Sequence, residues 1–426
     1  MRAIYGLLAL LAATATAAAA QQTPVPTPAN PDSVARADSA ARADSIAAVR
    51  ELEAAGTPST PTTAENGRPA QAGSGGPTNP RLLPDFSAVG DLVGDLSPKG
   101  STQPGGERFA VREVELAVQA VVDPYFRGDV FLGISDQEGI SIEQAYLTTT
   151  SLPAGLEARL GRFLMPFGKQ NTTHRHDLHT IEYPWVIQRF LSDDGLKGTG
   201  IAGSKVFSPF GFYQELQVTA VDRLGQSPDS LVTREPVNRS LGGLGFSARL
   251  RNYVDISQST NFELSASAMT GRRAQPAVFA TSELTAVAAR QTTLGVDLTY
   301  RWRPLEQGLY KSFMLQGEFM RQINGDPVDE SDVFLGPTRN YNGAYVFARY
   351  QVGPRSFIGS RYDWVQDPEN DGDALNAVSG YLEFFPSEFS KLTAGYERYM
   401  PGGLDGVNRF LVQATFALGP HKPHPF

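Results

Sequence analysis

The sequence has 426 residues, with 42 Gly, 30 Pro, no Cys, 10% aromatic residues and a formal net charge of -8. Without Cys there is neither a disulfide framework nor a thiolate zinc site, and the acidic balance, with only 7 Lys, excludes a nucleic-acid partner, which needs clustered cations. Length alone would allow two or three soluble domains, but the polarity pattern predicts one large β-domain.

Residues 1–20 read as an export signal: Arg2 is the positive n-region, Ile4–Leu11 the apolar core, and Ala17–Ala20 the small-residue cleavage site before Gln21. A membrane anchor is the alternative, because the apolar run can be stretched to Ala20, although its second half is Ala and Thr. No other segment approaches the ~20 apolar residues of a helical span, so a membrane location requires a barrel. Residues 21–31 are Pro-rich and extended. Residues 32–55 are Ala-rich, repeat ARADSA and ARADSI, and predict a short periplasmic helix. Its apolar stripe (Val34, Ile46, Val49 and Leu52) is sparse for a coiled coil. Residues 56–84 form a flexible Pro/Gly/Thr/Ser linker.

From Asp85 to 419 the text changes to segments of about ten residues with alternating polarity, separated by turn residues, the signature of a transmembrane antiparallel β-barrel. In Thr293–Arg303, Leu294, Val296, Leu298, Tyr300 and Trp302 oppose Asp297, Thr299, Arg301 and Arg303. In the last segment Phe410, Val412, Ala414, Phe416 and Leu418 oppose Arg409, Gln413 and Thr415. Val114, Leu116 and Val118 oppose Glu113, Glu115 and Gln119, and Phe262, Leu264 and Ala266 oppose Glu263, Ser265 and Ser267. A soluble sandwich has the same period. The export signal, the turn spacing and the asymmetry of the connections select the barrel. Short turns (Asp123-Pro124, Pro153–Gly155, Pro354-Arg355) alternate with long polar loops (Gln226–Ser240, Ala274–Gln291, Asp326–Asn340), as in outer-membrane barrels. Tyr125, Phe126, Tyr253, Tyr300, Trp302, Tyr350, Trp364 and Tyr399 suit interfacial girdles. The expectation is an all-β barrel of about 16 strands. They start near residues 85, 108, 125, 140, 156, 199, 212, 243, 261, 292, 312, 341, 356, 375, 389 and 407. An even number places both termini in the periplasm, with a water-filled lumen inside.

The chain is organised around Leu156–Lys205: a strand-like run to Lys169, a polar insertion Gln170–Gly198, and a second strand-like run Thr199–Phe207. The insertion is the third outer loop, shows no obvious helical periodicity, and mixes charges with Tyr183, Trp185, Phe190 and Leu191. A loop of this length is usually functional or disordered, and this one predicts an inward loop that narrows a pore. A solvated surface loop is the alternative.

Across Phe109–Val122, Phe126–Ile134, Glu143–Tyr146 and LEARLGRFLMPFGKQ at Leu156–Gln170, with Gly161-Arg162-Phe163 and Pro166-Phe167-Gly168 the most specific pieces, the chain resembles the phosphate-selective porin O and P superfamily. The resemblance covers roughly 108–206. It implies a 16-stranded, usually trimeric outer-membrane channel constricted by its third loop. Phosphate selectivity does not carry over, because the inward faces carry both signs. Arg127, Arg249, Arg251, Arg301, Arg349, Arg361 and Lys391 stand against Glu113, Glu115, Asp129, Glu263, Asp297, Asp363 and Glu383. The histidines give a looser resemblance to zinc-regulated outer-membrane barrel proteins.

The candidate pore constriction comprises Arg159, Arg162, Lys169, Arg175, Asp177, Glu182, Arg189, Asp193 and Asp194, since opposed charges in a narrow passage set ion preference. Alternatively, several of them pair to fasten the loop to the wall. All five His fall in two places: His174, His176 and His179 in the insertion, and His421 and His424 in the 420–426 tail. The loop spacing H-x-H-x-x-H could hold a divalent metal, with Asp177 or Glu182 completing the set. Hydrogen-bonded loop histidines are the plainer reading, and no other cofactor is expected. The chain has no G-x-S-x-G elbow, H-E-x-x-H or P-loop, so no enzyme is expected. A plugged receptor is disfavoured because about 60 Pro/Ala/Gly-rich residues make no plug domain. The expected function is passive diffusion of small hydrophilic solutes or ions through an outer-membrane homotrimer in contact with lipid. A metal-responsive binding or surface-adhesion barrel is the alternative.

Overall fold

The computed structural model describes residues 84–136, 139–222, 224, 243–275, 287–325, 339–370 and 372–419. The expected signal, Pro-rich, helix and linker segments before 84, and the 420–426 tail with His421 and His424, lie outside the described residues.

The described residues form sixteen antiparallel strands that close into one barrel. They are β1 (Asp85–Asp95), β2 (Phe109–Asp123), β3 (Phe126–Ser135), β4 (Gly139–Thr149), β5 (Leu156–Leu164), β6 (Lys197–Phe207), β7 (Tyr213–Val221) and β8 (Gly245–Ser257). The second half comprises β9 (Thr260–Gln275), β10 (Val287–Trp302), β11 (Phe313–Asn324), β12 (Tyr341–Gly353), β13 (Ser356–Gln366), β14 (Ala374–Ser387), β15 (Ser390–Met400) and β16 (Val407–Leu418). Each strand pairs with its sequence neighbours, and β1 closes on β16 with Ala88 opposite Leu418 and Asp95 opposite Leu411. The first and last strands therefore begin and end at the same rim. Seven connections lie at that rim, six of them of two to six residues and one, 303–312, of ten, and the longest loops lie at the other.

The alternation that predicts the strands also assigns their faces. On β10, Asp297 and Thr299 are buried towards the interior while Leu294 and Val296 are about half exposed outside. Ile201, Val218, Leu264, Phe319, Val346, Leu382 and Phe416 continue this exposed apolar belt, the surface a barrel offers to lipid. Two of the predicted girdle residues face inward instead. Tyr253 shares the parity of buried Arg249 and donates to Asp255, and Tyr399 packs on Trp185 inside. The loop expected at Ala274–Gln291 shortens to 276–286, because β9 and β10 pair out to Gln275 and Val287.

The ladder is weakest between β4 and β5, with four residue pairs from Ala145↔Arg162 to Thr148↔Arg159. β4 bulges here, so that both Glu143 and Gln144 are buried. Side chains supply the missing bonds on both faces. Inside, Gln144 Oε1 accepts the Leu164 N–H at 3.0 Å; outside, Arg162 Nε donates to Ile142 O at 2.9 Å.

The lumen is not simply water-filled. Loop 165–196 turns into it and meets the wall in an apolar core that includes Phe163, Met165, Phe167, Tyr183, Trp185, Ile187, Phe190, Met320, Tyr345, Phe347 and Tyr381. The loop also contains a helix, α1 (Trp185–Phe190), where no helical periodicity was expected.

Candidate functional site: the inward loop and the lumen it narrows

The loop begins where β5 stops at Leu164, five residues before the expected end, because Pro166 has no N–H and Gly168 takes φ 60°. A β-carbon at Gly168 would collide with Glu318 Oε2. Asn171 zips the neck of the loop: its Nδ2 donates to Met165 O at 2.8 Å and its Oδ1 accepts from Leu196 N at 2.6 Å.

Beyond the neck, charged wall residues hold the loop at successive points. Glu318 Oε1 accepts the Gln170 N–H at 2.7 Å, and Lys169 Nζ reaches Glu263 at 2.9 Å. Lys391 donates to the carbonyls of His176 and Leu178 at 2.6 and 2.7 Å. Arg361 donates to Glu182 O at 2.8 Å and Thr180 Oγ1 at 3.1 Å while paired with Asp363 at 2.7 Å. Asp363 also accepts the first amide of α1, Trp185 N, at 3.0 Å. The loop thus crosses the lumen from β5 and β6 towards β13, β15 and β16.

α1 completes the docking. Val186, Ile187, Phe190 and the following Leu191 are fully buried, and Val186 lies against Gly343 of β12, where a β-carbon would sit 2.6 Å from Val186 Cγ2. Only Gly lets the helix approach the wall this closely. Arg189 caps the packing from above: it lies over the Trp185 ring at 5.1 Å and pairs with Asp367 and Glu369 at 3.2 and 2.7 Å.

These contacts distribute the predicted constriction residues into distinct places. Lys169, Glu182 and Arg189 are wall fasteners. Glu182 meets Arg112 at 3.3 Å and Arg409 at 3.8 Å. Arg175, Asp193 and Asp194 pair within the loop: Arg175 donates to Asp193 O and lies 3.7 Å from Asp194 Oδ1, which leaves the Asp193 residue exposed. Asp177 stands partly exposed, 3.7 Å from His176 Nε2. Arg159 faces the lumen, paired with Glu157 at 3.1 Å and lying over Tyr146 at 5.4 Å. Arg162 is a correction: it pairs in register with outward Ala145 and Thr199, so it belongs to the lipid side of the wall and not to the passage. The solvated surface loop is overturned as well, because the loop's apolar residues are buried in the lumen.

The histidines also separate. His174 Nδ1 lies 2.7 Å from Glu115 Oε2 of β2, and its ring is 5.5 Å from that of His176. Glu115, His174 and His176 each bring a donor atom within 4.8 Å of the others. His179 is elsewhere, 3.7 Å from Glu383 and stacked on Phe347. The predicted three-histidine set is therefore replaced by two histidines and a wall carboxylate, and Glu182 is committed to Arg112 and Arg409. Sequence reasoning missed Glu115 as a partner; its inward parity was visible, but its register opposite the loop was not.

Burial disfavours a charged His174 ring, but the Glu115 carboxylate more than offsets this and lifts its pKa to about 9. The charged ring donates from both nitrogens. Gln144, whose Nε2 lies 2.8 Å from His174 Nε2, must then turn its oxygen to the ring and release Leu164 N–H. Burial and the nearby Arg349 push His179 the other way, downwards. Glu182 sits below the usual carboxylate range: burial opposes its charge, but Arg112, Arg175 and Arg409 outweigh it.

What remains open is polar. A cavity of about 290 Å³ lies beside the loop, lined by Gln144, Tyr146, Glu157, Arg159, Thr172, His174, Gln217, Arg249 and Arg251. Its cations have carboxylate partners: Arg251 meets Glu263 at 2.8 Å, and Arg249 meets Asp297 at 3.4 Å. Such a wall carries charges of both signs without burying a bare one.

No family model matches the chain. An uncharacterized protein of Aquifex aeolicus (strain VF5) is 28% identical over 383 residues, covering 81% of this chain and 79% of its own. Among solved structures, the high-pH structure of Pseudomonas putida OprB matches with a TM-score of 0.52 at 10% identity, over 79% of this chain and 94% of that one. The trimer form of in-vitro folded OmpT, an outer membrane protein of Vibrio cholerae, matches with a TM-score of 0.50 at 10% identity, over 79% and 99%. At such identities the likeness concerns the fold. The chain is a sixteen-stranded barrel of the porin type, and it resides in the outer membrane.

Proposed function

We propose that the chain is a passive channel for small hydrophilic solutes or ions, with loop 165–196 as its constriction. One observation carries this reading: the loop folds inward and is fastened to the wall, while a polar cavity stays open beside it along β4–β8. Constriction in this reading comes from the volume of the docked loop. The charges that remain towards the passage, Arg159, Glu157, Asp177 and His174, bias it locally. The phosphate-selective porin O and P superfamily is the finer family reading. The mixed wall favours no dedicated phosphate path. The trimer form of the OmpT neighbour supports a homotrimer. Residues 1–20 as export signal and 32–55 as a periplasmic helix complete the proposal.

Planar-bilayer recording of the full chain tests it. Ohmic unitary currents, with bi-ionic reversal potentials giving the ion preference, are the expected result. Electrically silent, fully folded protein would overturn it in favour of a binding or adhesion barrel.

A further inference from the structure

We infer that Glu115, His174 and His176 form a binding site for one divalent transition-metal ion of the Zn²⁺ or Co²⁺ class, joining the barrel wall to the inward loop. Three observations converge on it. The donor atoms come from two independent elements, β2 and the single turn Arg175–Asp177 with its N-cap His174, and lie within 4.8 Å of one another. Donors on a tetrahedral ion with bonds of about 2.0–2.1 Å are about 3.4 Å apart, so closure requires shifts of about 1 Å, within reach of side-chain adjustment. Asp177, whose Oδ1 is 3.7 Å from His176 Nε2, is partly exposed and marks the entry side, which leaves the fourth position of the ion to water.

Two imidazoles and a carboxylate make a nitrogen and oxygen set that suits borderline divalent ions rather than Ca²⁺ or Mg²⁺, which prefer oxygen alone. The cation neutralises the Glu115 carboxylate. The surroundings position the ligands. Lys391 anchors the turn by the carbonyls of His176 and Leu178 at 2.6 and 2.7 Å. Phe131 lies 5.5 Å from the His174 ring. Gln144, 2.8 Å from His174 Nε2, accepts the Nε2–H of an Nδ1-bound ring once its oxygen faces it, the outer-shell bond that metal-binding histidines usually make. Binding displaces the proton between His174 and Glu115 and reinforces the link between the loop and β2 that the Arg112–Glu182 pair also makes.

The test is calorimetric titration of ZnCl₂ into the detergent-folded full chain carrying His421→Ala and His424→Ala, which removes the tail imidazoles. One equivalent should bind, with affinity reduced at least tenfold in Glu115→Gln, abolished in His174→Ala/His176→Ala, and unchanged in His179→Ala. Absence of binding, equal binding in Glu115→Gln, or loss in His179→Ala overturns the site. Should a variant fail to fold, CoCl₂ titration of the tail-substituted chain decides. Intense tetrahedral visible bands support the site, and a weak octahedral spectrum overturns it. Both readouts are independent of whether the barrel conducts.

Discussion

Replacing Phe190 by Ala isolates the apolar part of loop docking. The ring is fully buried between α1 and the wall. An aromatic side chain covers about 150–250 Å², worth about 4–6 kcal/mol at ~25 cal/mol per Å², and measured Phe→Ala costs in cores are about 3–5 kcal/mol. At about 1.4 kcal/mol per tenfold, the ratio of docked to lifted α1 falls by roughly two to three and a half orders of magnitude. The strand ladders contain none of this contact, so the barrel keeps its thermal stability. Lys391, Arg361 and Asn171 still hold the neck and the histidine turn, so only the helix end lifts. Single-channel recording should show a noisier, larger open state, and trypsin should cut after Arg189, which the native packing over Trp185 protects. A folded Phe190→Ala protein with unchanged current and a protected Arg189 would refute the packing argument.

Other perturbations test separate contacts. Val186→Cys with Gly343→Cys, in a chain that has no native Cys, places two β-carbons about 3.2 Å apart, close to the disulfide range of about 3.5–4.5 Å. An intramolecular cross-link is expected on mild oxidation, read by mass spectrometry, and its absence would mean that α1 is not on β12. Glu182 has a depressed folded pKa, so its contribution is present above the ordinary carboxylate range and is lost as pH falls through the lower folded value. Current noise should therefore rise only in strong acid, and Glu182→Gln should show that noise already at neutral pH. Above the His174 pKa of about 9 the neutral ring leaves Gln144 Oε1 to the Leu164 N–H, so at such pH Gln144→Leu strands that N–H at the weak β4–β5 seam, at a cost of up to about 1–3 kcal/mol; a lowered thermal midpoint in calorimetry is expected there, and an unchanged midpoint would argue against that bond.

The wall was legible because its code is local. Strands need only alternate polarity, and Leu294, Val296 and Leu298 against Asp297 and Thr299 state both the element and its faces. Where sequence reading failed, the deciding contact was remote. Tyr399 reads as a girdle aromatic until Trp185, over 200 positions away, is seen beneath it. Arg162 reads as a pore charge until its register with Ala145 and Thr199 turns it outward. The helix α1 did leave a signal: Pro184, suited to a helix start, followed by Val186, Ile187, Phe190 and Leu191, with the i, i+4 spacing of one face. Six residues are too short for periodicity to stand out. Which of the loop charges pair depends on wall residues such as Glu263, Arg112 and Arg409, whose positions follow from barrel closure alone.

Single-channel conductance of the full chain against a variant lacking residues 170–194 tests the loop's role most directly. The docked loop occupies the lumen between β5 and β13, so its removal should leave the sixteen-strand wall intact and raise the unitary current severalfold. Equal currents from the two folded proteins would contradict a lumen narrowed by this loop.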